Sequence, residues 1–192
     1  KTQENILKAK LEILDGMHKT SPIILNCDDR FLFEAGDKLD RKVIFYGILN
    51  HAGVFAEDIQ SDENGEQFTI CYNDSKLAAK IPTRGRHSVL NALAAFCAGV
   101  ESGLAPEAII RAFLSYKPSA MRQRFVKMGE QTVIIDCYNA SPDSMKASLS
   151  VLGSEKGRKI AVLGDMLELG AHSAEMHESV ASMLEQNLVD EA

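Results

Sequence analysis

Helix-spaced stretches and short apolar runs alternate along this sequence, break off at Asp62-Glu63-Asn64-Gly65, and alternate again after Lys117-Pro118-Ser119. Alternation of that kind favours a parallel α/β sheet with helices packed on it. Residues 2–14 set Ile6, Leu7, Leu11, Ile13 and Leu14 at helical spacing, with Gly16 positioned to stop the helix. Residues 21–27 (SPIILNC) predict a buried strand, 29–38 a second amphipathic helix, and 43–48 (VIFYGI) another buried strand. The texture then changes. Residues 55–61 and 66–72 flank Asp62-Glu63-Asn64-Gly65, where Asn-Gly is a strong turn signal for an antiparallel hairpin, and 77–81 are a candidate further strand. A long alanine-rich helix over 87–102 is closed by Gly103, and Pro106 opens a helix to about residue 115.

Beyond the Lys117-Pro118-Ser119 hinge, 124–128 and 131–135 read as strands, 144–152 as a helix, 159–163 as a strand and 173–188 as a helix. About two parallel strands and two helices are too few for a whole doubly wound domain, so the second unit is expected to be incomplete. The expected division is one domain over 1–119 and another over 120–192.

Composition narrows the function classes. A net charge of −6 and a pI near 5.4, with Lys and Arg scattered, give no basic face for a phosphate backbone, which argues against a nucleic-acid partner. No apolar run approaches the length of a membrane span, and residues 1–10 lack the apolar core of a secretory signal, so a soluble, cytoplasmic chain is expected. Cys27, Cys71, Cys97 and Cys137 are widely spaced and read as reduced, mostly buried thiols.

Two of the expected strands end in an aspartate, Asp136 and Asp165. Ligands of open α/β sheets bind outside the carboxyl ends of strands, so both carboxylates are site candidates; the alternative is that each caps the helix or turn that follows. After Asp136, the string Cys137-Tyr138-Asn139-Ala140-Ser141-Pro142 puts a polar loop ahead of a helix N-terminus, as an ordinary βα turn also would. In 163–170, two glycines bracket Asp165 and Glu168, which implies a shaped loop. Lys10 sits among apolar residues on its helix and either snorkels or, partly buried and neutral, takes up carbon dioxide to give a carbamate suited to Mg²⁺. Asn91, one turn into the long helix, could offer its amide to a base edge or face solvent. His18, His51, His172 and His177 show no triad-like or metal-like spacing and read as ordinary surface or satisfied residues.

Taken in order, E-N-I-L-K-A-K-L-E-I-L from Glu4, I-L-N-C-D-D from Ile24, G-R-H-S-V-L-N-A-L-A-A from Gly85, D-C-Y-N-A-S-P-D-S-M from Asp136 and L-G-D-M-L-E-L-G from Leu163, followed by Ser173 and His177, resemble the MurF-type Mur ligases across nearly the whole chain. The resemblance implies part of a central ATP-binding domain with a mixed sheet and helices, followed by part of a Rossmann-like domain. It implies an enzyme of peptidoglycan precursor synthesis that phosphorylates the terminal carboxylate of UDP-N-acetylmuramoyl-tripeptide with ATP and lets the amine of D-Ala-D-Ala attack the acyl phosphate. ATP and Mg²⁺ are the implied cofactors, the two small molecules the implied partners, and a monomer the expected state. Residue by residue, Lys10 matches the carbamylated lysine that supports Mg²⁺, Asn91 with His87 the adenine side, and Arg122 the arginine that reaches the nucleotide, with Arg124 leaving the register open. Asp136 matches the acid near the ribose, Tyr138 and Asn139 its loop, and Asp165 and Glu168 a loop near the incoming dipeptide. Ser88 stands where the family usually has Asn, so part of the adenine contact is expected to differ, and Cys137 adds an oxidisable thiol to the acidic loop.

Phosphoryl transfer of this kind depends on a glycine-rich phosphate loop, and no G-x-x-x-x-G-K-[ST] occurs in the sequence. The expectation is an internal piece of such a ligase, inactive alone. The competing readings are a non-catalytic α/β binding module and another member of the Mur superfamily, such as a folylpolyglutamate synthase; L-G-D-M-L-E-L-G argues against the latter.

Overall fold

The computed structural model describes residues 2–119 and 121–192; residues 1 and 120, the expected first residues of the two domains, lie outside the described residues. The chain forms two compact units, Lys1–Pro82 with His87–Tyr116, and Thr83–Arg86 with Lys117–Ala192.

In the first unit, α1 (Gln3–Leu11) starts where the Thr2 hydroxyl accepts the Asn5 N–H at 3.3 Å, and passes into a 3₁₀ turn that ends at Gly16. Its apolar stripe is only partly covered: α1 has no fully buried residue, Leu7 and Leu11 are half-buried, and Ile6 and, in the turn, Ile13 are exposed. Next come β1 (Ile23–Asn26), α2 (Arg30–Gly36), capped by Asp29 on the Leu32 N–H at 3.0 Å, and β2 (Val43–Gly47), parallel to β1 from Ile23↔Val43 to Asn26↔Tyr46.

Parallel neighbours ordinarily need a crossover of about a dozen residues or more. Here residues 48–53 suffice, because β3 (Val54–Asp62) overlaps β2 only at Tyr46↔Val54 and Gly47↔Phe55 and then runs on past its end. It continues into an antiparallel meander with β4 (Gly65–Tyr72) and β5 (Ser75–Ile81), which gives one mixed sheet in the order β1-β2-β3-β4-β5.

The two hairpins differ in a way the sequence disguises. Asp62 pairs with Gly65, so the first turn centres on Glu63-Asn64 rather than Asn64-Gly65, and Asp62 Oδ1 accepts the Asn64 N–H at 2.6 Å. Gly65 is required for another reason: its φ is +128°, and a Cβ would stand 1.9 Å from the Ile81 carbonyl oxygen. The second turn, Asn73-Asp74, has both residues at positive φ (45° and 60°) between paired Tyr72 and Ser75, a tight loop built without glycine.

Two helices complete the unit, α3 (Arg86–Glu101) and α4 (Pro106–Phe113), the latter with proline in its first turn. Val89, Leu93 and Phe96 of α3 join Ile70 of β4 in the core, all with no accessible surface, each contributing roughly 1.5–3 kcal/mol of burial. Small residues let the helices close up: a Cβ on Gly99 would lie 2.7 Å from Ile109 Cδ1.

In the second unit, β6 (Arg124–Met128) and β7 (Gln131–Ile135) are an antiparallel hairpin turning at Gly129, φ +62°. A two-residue link can only reverse the chain, so this pairing adds no parallel ladder to the unit. Helix α5 (Pro142–Gly153) begins in a capping box, Ser141 Oγ accepting the Ser144 N–H at 3.3 Å and Ser144 Oγ accepting the Ser141 N–H at 2.8 Å. Helix α6 (Ser173–Gln186) packs beside it around Leu149, Ala161, Met166 and Val180. The expected strand over 159–163 is not formed. Its apolar residues find a backbone partner, among the described residues, only in one parallel bridge of Ile160 to Glu191, and Val162 is 96% exposed, so no ladder extends along the run. No helix among the described residues is long and apolar enough to cross a membrane.

Candidate active site

Within the first unit, the carboxyl ends of β1 and β2 are tied by one side chain. Asp28 accepts the N–H groups of Ile48 at 2.8 Å, Leu49 at 2.9 Å and Asn50 at 2.8 Å, while its own N–H donates to Asn26 Oδ1 at 3.0 Å. The Asn50 amide donates back to the Cys27 carbonyl at 3.3 Å. A Cβ on Gly47 would meet Asp28 Oδ1 at 2.7 Å, which explains a glycine at the last position of β2. Beyond the clamp, Leu49 is exposed and His51 stacks on Phe55 with ring centroids 4.0 Å apart.

The residues expected on this side are held less tightly. Lys10 lies exposed in the last turn of α1 and lacks the partial burial that would favour a neutral amine. Asn91 is exposed on α3, one turn after half-buried His87, whose Nε2 is 3.4 Å from the Ser88 hydroxyl. Among the described residues, no group of three or more His, Cys, Asp and Glu could hold a metal ion. Mg²⁺ requires a near-octahedral set of oxygens, so the described side chains do not make that site by themselves.

In the second unit, the string after β7 folds into a connected site. Asp136 follows the last residue of β7; one carboxylate oxygen accepts the Gln123 N–H at 3.3 Å and the other accepts the Ser148 hydroxyl from α5. The Arg122 guanidinium lies over the Tyr138 ring, 4.5 Å from its centroid, and the Cys137 and Tyr138 N–H groups both donate to the Met121 carbonyl, at 3.0 and 3.2 Å. Of the two neighbouring arginines, Arg122 therefore meets this loop, while Arg124 is exposed on β6 opposite Ile135. Asn139 turns its Oδ1 onto the Ala140 N–H at 3.0 Å. Asp136, Arg122 and Tyr138 are thus gathered into one exposed surface with Cys137 on it.

Gln123 holds this arrangement from beneath. It is buried, has a φ of +44°, and accepts the Arg84 N–H on Oε1 at 3.1 Å. Arg84 in turn is ion-paired to Glu155 and sits 4.8 Å from the Phe125 ring centroid. A buried glutamine in the left-handed region is uncommon.

Asp165 and Glu168 are exposed on the segment between Ala161 and α6, Glu168 at φ +63°. Asp165 does not end a strand, since none forms there. Between the two acids Met166 is buried, and its N–H donates to His177 Nε2 at 3.0 Å.

Sequence reasoning located the Asp136 loop and the 163–170 segment but not Asp28, Gln123, Ser148 or the work of His177. The first stands within I-L-N-C-D-D, yet its three partners lie about twenty residues on, and the others show themselves only through tertiary hydrogen bonds.

Comparison with known proteins finds two family matches in order, the Mur ligase middle domain over residues 1–99 and the Mur ligase glutamate ligase domain over 121–192. A Bacillus subtilis (strain 168) protein, UDP-N-acetylmuramoyl-tripeptide–D-alanyl-D-alanine ligase, is 34% identical across 98% of this chain. Among solved structures, MurF from Acinetobacter baumannii superposes with a TM-score of 0.89 at 27% identity over 96% of this chain, and MurF ligase from Thermotoga maritima in complex with ADP with 0.85 at 26% over 95%. The chain spans 41% of the length of the first of these relatives, and 41% and 42% of the two solved chains.

Proposed function

Because the chain belongs to the Mur ligase family, carrying its middle domain and its glutamate ligase domain, we propose that it supplies the nucleoside side and part of the amine side of a MurF-type active site. The reaction is ATP-dependent joining of D-Ala-D-Ala to UDP-N-acetylmuramoyl-tripeptide in peptidoglycan precursor synthesis. Residues 1–119 are assigned to the middle domain and 120–192 to the C-terminal domain.

The observation that carries this reading is the Asp136 loop. A carboxylate held by Ser148 and the Gln123 N–H, beside an arginine laid on Tyr138, offers an acceptor for ribose hydroxyls and a cation for a nucleotide phosphate. Tyr138 and Asn139 shape the rim, while Asn91, with His87 one turn earlier, presents donor and acceptor to the edge of the adenine. In the chemistry, a terminal carboxylate oxygen attacks the γ-phosphorus, ADP leaves, and the amine attacks the acyl carbon and displaces phosphate. Asp165 and Glu168 attract the dipeptide's ammonium, which must lose a proton before attack. Mg²⁺, when bound, would neutralise charge on the phosphates; Lys10, exposed on α1, is the residue of this chain that would reach it as a carbamate, with the remaining oxygens supplied by other groups. The enzyme is read as a cytoplasmic monomer.

Since the sequence has no phosphate loop, the 192-residue chain by itself is expected to turn over no ATP. The decisive experiment gives the whole protein that carries this chain ATP, the UDP-tripeptide and D-Ala-D-Ala, and follows ADP release and product mass. ADP release that requires both acceptor and amine, with the pentapeptide product, supports the reading; no product under saturating substrates rejects it.

A further inference from the structure

The segment 162–169 belongs to no strand and no helix, yet it carries Asp165 and Glu168. One side of its backbone is fixed by a side chain from α6: His177 Nε2 lies 3.0 Å from the Met166 nitrogen, which as a backbone amide can only donate. The ring's other nitrogen, Nδ1, lies 2.8 Å from the Ser173 carbonyl oxygen, which can only accept, and 3.4 Å from the Ser173 hydroxyl. The two partners leave one tautomer: the proton is on Nδ1 and the lone pair on Nε2. Each nitrogen is matched: a proton on Nε2 would set N–H against N–H, and a ring flip would put C–H groups where both partners need a nitrogen.

We propose that His177, as the neutral Nδ1–H tautomer, is the positioning residue that fixes the Asp165–Glu168 loop for the incoming amine. The Met166 side chain is buried in the core beside Leu149 and Val180, so its amide is the point where the loop is pinned from two directions, by packing inward and by His177 from the side. Its neighbours face out: Asp165, Leu167 and Glu168 are exposed, and Glu168 takes a left-handed φ of +63° that turns the chain back toward α6. Without the acceptor on α6, the backbone between Ala161 and Ser173 loses a fixed bond at its centre, and the two carboxylates lose a common frame. Positioning the amine rests on the ligase reading; the clamp itself does not.

The test uses the whole protein that carries this chain, with His177→Ala and His177→Gln, since a glutamine Oε1 can replace the Nε2 lone pair. Long-range ¹H–¹⁵N spectra of the unmodified protein are expected to show the proton on Nδ1. Deuterium exchange at the Met166 amide is expected to quicken about tenfold in His177→Ala and to return near the original rate in His177→Gln, with protection in α5 and α6 retained. In ligation, His177→Ala is expected to raise KM for D-Ala-D-Ala about tenfold with kcat and the KM for ATP within about twofold, and His177→Gln to recover most of it. A proton on Nε2, or unchanged Met166 exchange in His177→Ala, overturns the clamp. Faster exchange with an unchanged amine KM overturns the positioning role. If the unmodified protein makes no product, the ligase reading fails and exchange alone decides the clamp.

Discussion

The hydroxyl of Ser148, in the second turn of α5, donates to the carboxylate of Asp136 at the end of β7, across twelve residues of sequence. The same carboxylate takes the Gln123 N–H on its other oxygen. Removing the hydroxyl frees one oxygen to rotate without disturbing the core. Ser148→Ala is expected to weaken ADP binding about five- to tenfold in isothermal titration on the whole protein, with an unaltered far-ultraviolet spectrum. Unchanged affinity would detach Asp136 from the nucleotide.

Three of the four cysteines are buried, and burial pushes the Cys27 and Cys71 thiols up and that of Cys97 up to about 12. Cys137 is exposed. A thiol-specific reagent near pH 8 should therefore label one site quickly in the folded protein and all four in denaturant, and Cys137→Ser should abolish the fast phase. Two or more fast thiols would contradict the burial described.

Asp28 satisfies three successive amides in the loop after β2. Its truncation leaves those donors without their acceptor, so Asp28→Ala should lower unfolding free energy by about 3 kcal/mol in urea titration, and Asp28→Asn by roughly half as much. A loss within the error of the titration would mean that water replaces the carboxylate freely.

At Gly65 any side chain collides with the Ile81 carbonyl and meets an unfavourable φ. Gly65→Ala should cost more than about 3 kcal/mol, whereas Gly103→Ala, with open space at the Cβ and only its φ of +83° against it, should cost about 1 kcal/mol. Thermal melts of the two variants side by side separate collision from strain.

On the meander, Lys76 beside Glu57 holds that carboxyl below its ordinary range, and the Asn64 N–H does the same for Asp62. A depressed folded pKa gives stability that is complete above the unfolded value and drains away as pH falls through the folded one. Melting temperature should accordingly drop between about pH 5 and pH 3, and Glu57→Gln should drop by a degree or so less, a small effect because both acids are solvent-screened. An identical pH dependence in the variant would show the pair to be thermally averaged out.

How far the sequence could be read depended on whether a signal was local. Helices α2 to α5 were legible because their caps and stops are: Asp29, Pro106, the Ser141 box and Gly103 each act within a few residues. The β3–β4 hairpin was found where it stands, its loop drawn over 62–65, but the role of Gly65 was not, since the Asn-Gly pair advertises a turn while Gly65 is needed for its approach to Ile81. Asn73-Asp74 was passed over because its positive φ values come without glycine. The 159–163 run was read as a strand from composition alone, but a strand exists only where another backbone lies alongside, and composition cannot report that. For the site, Arg122, Asp136 and Tyr138 were reachable from a motif string, whereas the supports beneath them, Gln123 and Ser148, required the folded hydrogen bonds.

The brief overlap of β2 with β3 has a kinetic consequence. Its two rungs join residues only eight apart, the meander closes through two tight turns, and β1 with β2 is the pairing in this sheet that spans about twenty residues at matching positions. A mixed sheet whose neighbours in space are also neighbours in sequence has a low contact order, so little loop entropy is lost before native pairing is rewarded. The sheet of the first unit should therefore form fast for a mixed α/β structure, zipping outward from its turns.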